Sequence, residues 1–135
     1  MATIIPNIDS MMTSLKPQKS DLLANQNHAS EFYKRLVSMI NDFNKSLDSE
    51  NEVGMQICNF GQKITVYIKD ISYWNPSLII FTGIDLDSGN QVQLIQHVSQ
   101  LNILLVKLPK KNKEEPKRPI GFNTWEEYEE SKRYE

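Results

Sequence analysis

Between Ser30 and about Ser49, apolar residues recur every three or four positions, at Phe32, Leu36, Ile40, Phe43 and Leu47, which places them on one face of a helix. Lys34, Arg35, Asn41, Asp42 and Lys45 fall mainly off that face, so the stripe is expected to pack on a sheet or on a second copy of itself. After Asn51 the period shortens to two. Val53, Met55 and Ile57 alternate with Gly54, Gln56 and Cys58, and Gly61 and Gln62 separate them from Ile64, Val66 and Ile68, the pattern of a hairpin. Asn75 and Pro76 break the second strand, and the unbroken apolar run from Leu78 to Ile84 predicts a strand covered on both faces, hence central. Asp87, Ser88, Gly89 and Asn90 supply a tight turn, from which a strand over 91–98 should return antiparallel, followed by a fifth from about Leu101 to Leu108.

Pro109 closes that strand, and residues 110–117 read as a solvated, charged connector. Thr124 and Glu127 have the spacing of a capping box, with Trp125 and Tyr128 three apart, predicting a short helix over 124–134. Residues 1–20 carry no sustained period and read as a flexible arm. The expected architecture is α+β: a five-stranded antiparallel sheet, one long amphipathic helix and a short C-terminal helix. The expected divisions are an arm at 1–20, a ligand-binding domain at 21–122 and a terminal helix at 123–135.

A chain of 135 residues suffices for one domain with a proper core. Fifteen basic against 17 acidic residues leave a net charge of −2, which argues against long DNA or RNA as a partner. Lys107, Lys110, Lys111, Lys113, Lys117 and Arg118 nevertheless cluster locally, and such a patch can recruit a small phosphorylated molecule. The single Cys58 excludes an intrachain disulfide framework and suits a reducing cytoplasm. The N-terminus lacks the pattern of a signal peptide, and no apolar run approaches the roughly 20 residues of a membrane span.

Catalytic sets are hard to assemble from this composition. His28 and His97 lie in different predicted elements, no His or Cys pair has zinc spacing, and the Asp85, Asp87 and Asn90 group lacks the length of a calcium loop. Gly54, Gly61, Gly83, Gly89 and Gly121 are scattered and form no phosphate loop. Neither a metal nor another cofactor is expected, and no enzyme activity is expected. What remains is an inventory for binding. Gln91, Gln93, Gln96, Gln100 and Asn102 are amides among apolar positions, where a buried amide without a partner costs about 1–3 kcal/mol; each either faces solvent or meets a ligand. Arg118 is the sharpest candidate, because Pro119 restricts its backbone to extended conformations; the alternative is an ion pair with Glu114 or Glu115. Phe60 and Phe81 are core residues or stacking surfaces for a base, and His97 is a structural imidazole or a ligand contact.

The run Leu94, Ile95, Gln96, His97, with Ser99, Gln100, Leu101 and Asn102 behind it and Arg118 to Phe122 closing it, resembles a small bacterial and phage family linked to Thoeris anti-defence sponges. The likeness covers roughly residues 57–122. It implies a homo-oligomeric, dimer-based protein that sequesters cyclic ADP-ribose isomers made by host TIR-domain proteins without cleaving them. Cyclic di- or trinucleotides would be further ligands, and the setting would be the host cytoplasm. Carried onto this chain, the resemblance implies a pocket between protomers with Arg118 as its arginine, Phe81 stacking on adenine and Asn90 or Asn102 as its asparagine. Lys63 stands where a further basic residue is expected, Gln96 belongs to the quoted run, and Lys34 or Arg35 would line a second basic pocket. The rival expectation is a small interaction module or inhibitor acting on a host protein through the arm or the terminal helix.

Overall fold

The computed structural model describes residues 28–59 and 61–133, so the predicted arm and Phe60 lie outside the described residues. Helix α1 spans Ala29–Ser46. Its first amides are satisfied from the sheet: Ala29 N donates to the Pro76 carbonyl at 2.7 Å and Ser30 N to Asn75 Oδ1 at 2.9 Å. The turn that breaks the strand pattern therefore caps the helix that precedes it.

Five strands follow: β1 (Asn51–Asn59), β2 (Gln62–Trp74), β3 (Leu78–Asp85), β4 (Gln91–His97) and β5 (Leu104–Pro109). All pairings are antiparallel, in the order β4-β3-β2-β1-β5. The central strand is β2, not the apolar β3. Strand β3 is second from one edge, and its outer-face residues Leu78, Ile80, Thr82 and Ile84 are half-buried; a continuous apolar run does not distinguish a covered strand from one whose second face stays open. Strand β2 ends where Asn75 and Pro76 were expected to break it. The strand continues to Trp74 through a bulge between Ile68 and Asp70, pairing with β1 through its first half and with β3 through its second.

The register requires a curled sheet. His97 lies opposite Leu78 and thus Trp74, whereas Leu104 lies opposite Gln56 and thus Thr65, at the other sheet edge and far down β2. On a flat sheet these two positions would be about 35 Å apart, but the seven residue steps between them reach at most about 25 Å. The sheet therefore wraps towards α1, and Val98, Leu101 and Ile103 of the crossing segment pack against the core. That core contains Val37 and Ile40 of α1 with Val53, Met55, Val66, Ile68, Ile71, Ile79 and Phe81 of the sheet.

The terminal helix α2 (Trp125–Lys132) starts at Thr124, whose side chain accepts from Glu127 N, while Glu127 reaches back to Asn123 N instead of to the cap residue itself. It is docked on α1. Tyr128 is buried, and its hydroxyl hydrogen is shared between the Ser38 carbonyl at 3.0 Å and Asp42 Oδ1 at 2.7 Å. Lys132 donates to the same Asp42 oxygen at 2.6 Å and lies 4.6 Å from the Tyr128 ring centre, and Lys45 pairs with Glu129. No helix among the described residues is long and apolar enough to cross a membrane.

Candidate functional site

The segment after β5 leaves the sheet and returns along α1. Lys110 N donates to the Glu50 carbonyl, Lys111 N donates to Glu52 Oε1, and the Lys110 ammonium turns back onto the Glu115 carbonyl. At the end of α1, Lys117 Nζ donates to the carbonyls of Asn44, Leu47 and Asp48 at 2.7, 2.9 and 3.1 Å, so a lysine distant in sequence closes the helix C-terminus. Burial there pushes its ammonium below the ordinary lysine range, against the opposing pull of Asp48. Trp125 Nε1 holds the Lys117 carbonyl at 2.9 Å.

Two residues beyond Arg118 the chain is held again. Asn41 of α1 is fully buried and grips Ile120 twice, accepting from its N–H at 2.7 Å and donating to its carbonyl at 3.0 Å. Sequence periodicity put Asn41 off the buried face. The structure reverses this because Ile120 belongs to no sheet, and its buried backbone groups take an amide side chain as their partner. Asn44 does similar work, accepting from Val53 N at 3.0 Å. Gly121 then turns with φ of +82°, and a Cβ there would lie 3.3 Å from the Tyr33 hydroxyl oxygen, so glycine is favoured by both conformation and space.

Arg118 is thus carried on a short backbone span fixed at Lys117 and Ile120, while its own side chain is exposed. It makes no ion pair or hydrogen bond among the described residues; neither Glu114 nor Glu115 engages it. It lines a partly enclosed cleft of about 940 Å³ between this segment and the sheet, with Lys69, Lys110, Lys111 and Lys117 as the other cations and Glu52, Glu115 and Glu127 as the carboxylates. Lys110 and Lys117 bind neutral carbonyls and form no salt bridge among the described residues. The cleft is therefore net positive in a chain whose net charge is −2.

Of the residues predicted for ligand binding, only Arg118 lines this cleft. Phe81 is 1% exposed in the core and presents no open ring face to a base. Asn90 sits in the exposed β3–β4 turn, Asn102 on the exposed crossing segment and Lys63 near the start of β2, opposite Cys58. Lys34 and Arg35 are exposed on α1, with Lys34 paired to Glu31. Gln91, Gln93 and Gln100 are exposed, and Gln96 is half-buried on the core face with Oε1 lacking a partner among the described residues. His97 is structurally engaged: its Nδ1 accepts from Ser99 N at 3.1 Å. Cys58 is exposed, whereas strand cysteines are more often core, and two strands separate it from His97. The lysine run after β5 was visible in sequence, but Lys69 joins it only through folding. No cluster of three or more His, Cys, Asp or Glu residues suited to a metal occurs among the described residues.

Fold and cleft together define a small α+β domain with a cationic groove built where the C-terminal segment crosses the sheet. Residues 21–123 match the sequence model of a family of unknown function, DUF6173, and the chain belongs to that family. The match ends just past the Arg118 segment and takes in α1 and all five strands. No curated protein matches the chain, and no solved structure does.

Proposed function

We propose that this is a binding protein that captures a small phosphorylated, nucleotide-derived signal of the cyclic ADP-ribose type in the Arg118 cleft and withholds it from its receptor without cleaving it. The observation that carries this reading is the guanidinium of Arg118, unengaged among the described residues and held on a braced backbone among four lysines in a cleft of about 940 Å³. A planar guanidinium can grip a phosphate through two parallel hydrogen bonds, and flanking ammonium groups add charge without demanding one geometry. Cyclic di- or trinucleotides share that phosphate chemistry and are further ligands of the same site. The cleft is open on one side, so full enclosure calls for a second copy of the chain. The setting is the cytoplasm of a phage-infected host cell.

The rival reading is a protein-interaction module acting through α2, favoured by the exposed carboxylates of Glu126, Glu129 and Glu130. Deleting residues 123–135 does not separate the two readings, because Trp125 holds the Lys117 carbonyl beside Arg118. Point substitutions do. Wild type is incubated with cyclic ADP-ribose isomers and cyclic di- and trinucleotides, its melting temperature is followed, and bound ligand is recovered by denaturation and chromatographed. Binding without turnover raises the melting temperature as ligand exceeds Kd and returns the compound unchanged. Arg118→Ala is expected to weaken binding by roughly 10- to 100-fold with the ligand-free melting temperature unaltered. A chemically altered product would make the protein an enzyme. Absence of any nucleotide-dependent shift would move the function to the α2 surface.

A further inference from the structure

The cleft that holds Arg118 is net positive, yet Glu52, Glu115 and Glu127 also line it. A site for bare phosphate gains nothing from carboxylates, which repel the anion they surround. Glu52 is committed elsewhere: its Oε1 accepts from Lys111 N at 3.2 Å, and its charge pulls on the Lys117 ammonium. Glu115 sits on the connector after β5, and no described residue fixes its carboxylate. Glu127 differs from both in being fixed and open at once. It is the third residue of α2, where its N–H donates to Thr124 Oγ1 at 3.1 Å and its Oε2 accepts from Asn123 N at 3.1 Å. The next residue, Tyr128, is buried against α1 and locks the helix in place. The other oxygen, Oε1, has no hydrogen bond or ion pair among the described residues.

We infer that Glu127 reads the free hydroxyls of a ribose while Arg118 holds the phosphate, so that the cleft takes sugar-bearing phosphate esters and turns away hydroxyl-free anions such as inorganic pyrophosphate. This inference rests on the binding function proposed for the cleft. A carboxylate only accepts hydrogen bonds, and hydroxyls are the donors that a ribose phosphate carries beside its anionic group. Such O–H to carboxylate bonds are short and strong. The same negative charge opposes any further phosphate at that end, most of all where water is partly excluded. A site built to bond a hydroxyl also rejects the analogue that lacks it sharply. The reach is adequate: Arg118 and Asn123 are five residue steps apart, at most about 18 Å, and the positive-φ turn at Gly121 shortens that span. The family match ends at residue 123, so this selectivity belongs to the chain's own terminal helix.

The test is calorimetric titration of the full chain with ADP-ribose, inorganic pyrophosphate and the cyclic ADP-ribose isomers, for wild type, Glu127→Gln and Glu126→Gln, with thermal melts to confirm folding. Wild type is expected to bind ADP-ribose at least about tenfold more tightly than pyrophosphate. Glu127→Gln keeps an oxygen for Asn123 N but removes the charge. It is expected to weaken ADP-ribose about five- to tenfold and to tighten pyrophosphate about two- to fivefold. Opposed shifts are the signature, because a change of structure alone would move both ligands together. Glu126 is adjacent in sequence but does not line the cleft, so Glu126→Gln should leave both constants unchanged. Shifts in one direction, the same shifts in Glu126→Gln, or a wild type that binds the two probes equally would overturn the inference. Cyclic isomers that fail to bind, while ADP-ribose and pyrophosphate show the opposed shifts, would remove the proposed signal and leave the role of Glu127 standing. Cyclic isomers that bind, with shifts in one direction, would do the reverse, and a chain that binds none of the probes overturns both.

Discussion

Replacing Asn41 with Ala tests whether the amide grip on Ile120 sets the C-terminal segment in place. The substitution leaves the Ile120 N–H and carbonyl without partners in a buried site, and each unsatisfied group costs about 1–3 kcal/mol. With partial relief from an entering water, the expected loss is about 2–4 kcal/mol, a large share of the 5–15 kcal/mol typical of a domain. Urea unfolding followed by tryptophan fluorescence should show a lower midpoint at unchanged slope, and hydrogen exchange should show the Ile120 amide losing protection. Asn41→Asp sharpens the test, since it keeps the acceptor for Ile120 N–H but sets a carboxylate against the Ile120 carbonyl. Burial raises the folded-state pKa of such a group, so its penalty relative to wild type is greatest at neutral pH and shrinks as the carboxyl protonates towards about pH 4. A loss below about 0.5 kcal/mol for Asn41→Ala, with Ile120 still protected, would refute the reasoning.

Lys117→Met should destabilise by about 1–3 kcal/mol in urea, because three helix-terminal carbonyls lose one ammonium. Lys113→Met, which removes only an exposed pair with Glu50, should change the midpoint by less than about 0.5 kcal/mol; equal effects would mean that Lys117 contributes only general charge. Hydrogen bonds from Lys132 and then Tyr128 hold the Asp42 carboxyl below its ordinary range. Its contribution is thus complete above the unfolded value near 3.8 and disappears as pH falls through the depressed folded value. Asp42→Asn should therefore cost about 0.5–1 kcal/mol at pH 7, the side chain being half exposed, and nothing in strong acid; a pH-independent cost would contradict this.

Periodicity was a good guide wherever burial is apolar. The stripe from Phe32 to Leu47 located α1, and the turn at 87–90 and the Thr124 cap appeared where the residue chemistry placed them. Strand identity was legible, but strand rank was not, because rank depends on which edge receives β5, and that is settled by a crossing segment with no period. The candidate site was legible only at Arg118 and the nearby lysines. Lys69 comes from a distant strand, and Asn41 is a polar residue doing a core task, which a hydrophobic pattern reads as solvent-facing. Phe81 shows the reverse error: aromatic chemistry suggested a stacking platform, while packing against α1 removed it from the surface. Trp125 is taken up within the chain, packing edge-on against Tyr128 and donating to the Lys117 carbonyl.

The contacts that place Arg118 run to α1 and the residues just past its end, with Trp125 of α2 holding the Lys117 carbonyl, so the geometry of the cleft's arginine is indexed to the helices and not to the strand that precedes it. The exposed stretch around residues 112–114 can consequently change length as the family diversifies, or accept an inserted peptide in the laboratory, at a closure cost of only about 0.6 kcal/mol per doubling of the loop. The spacing from Lys117 to Ile120 has no such latitude. One added residue there would set the two grips out of step and carry the guanidinium away from the groove.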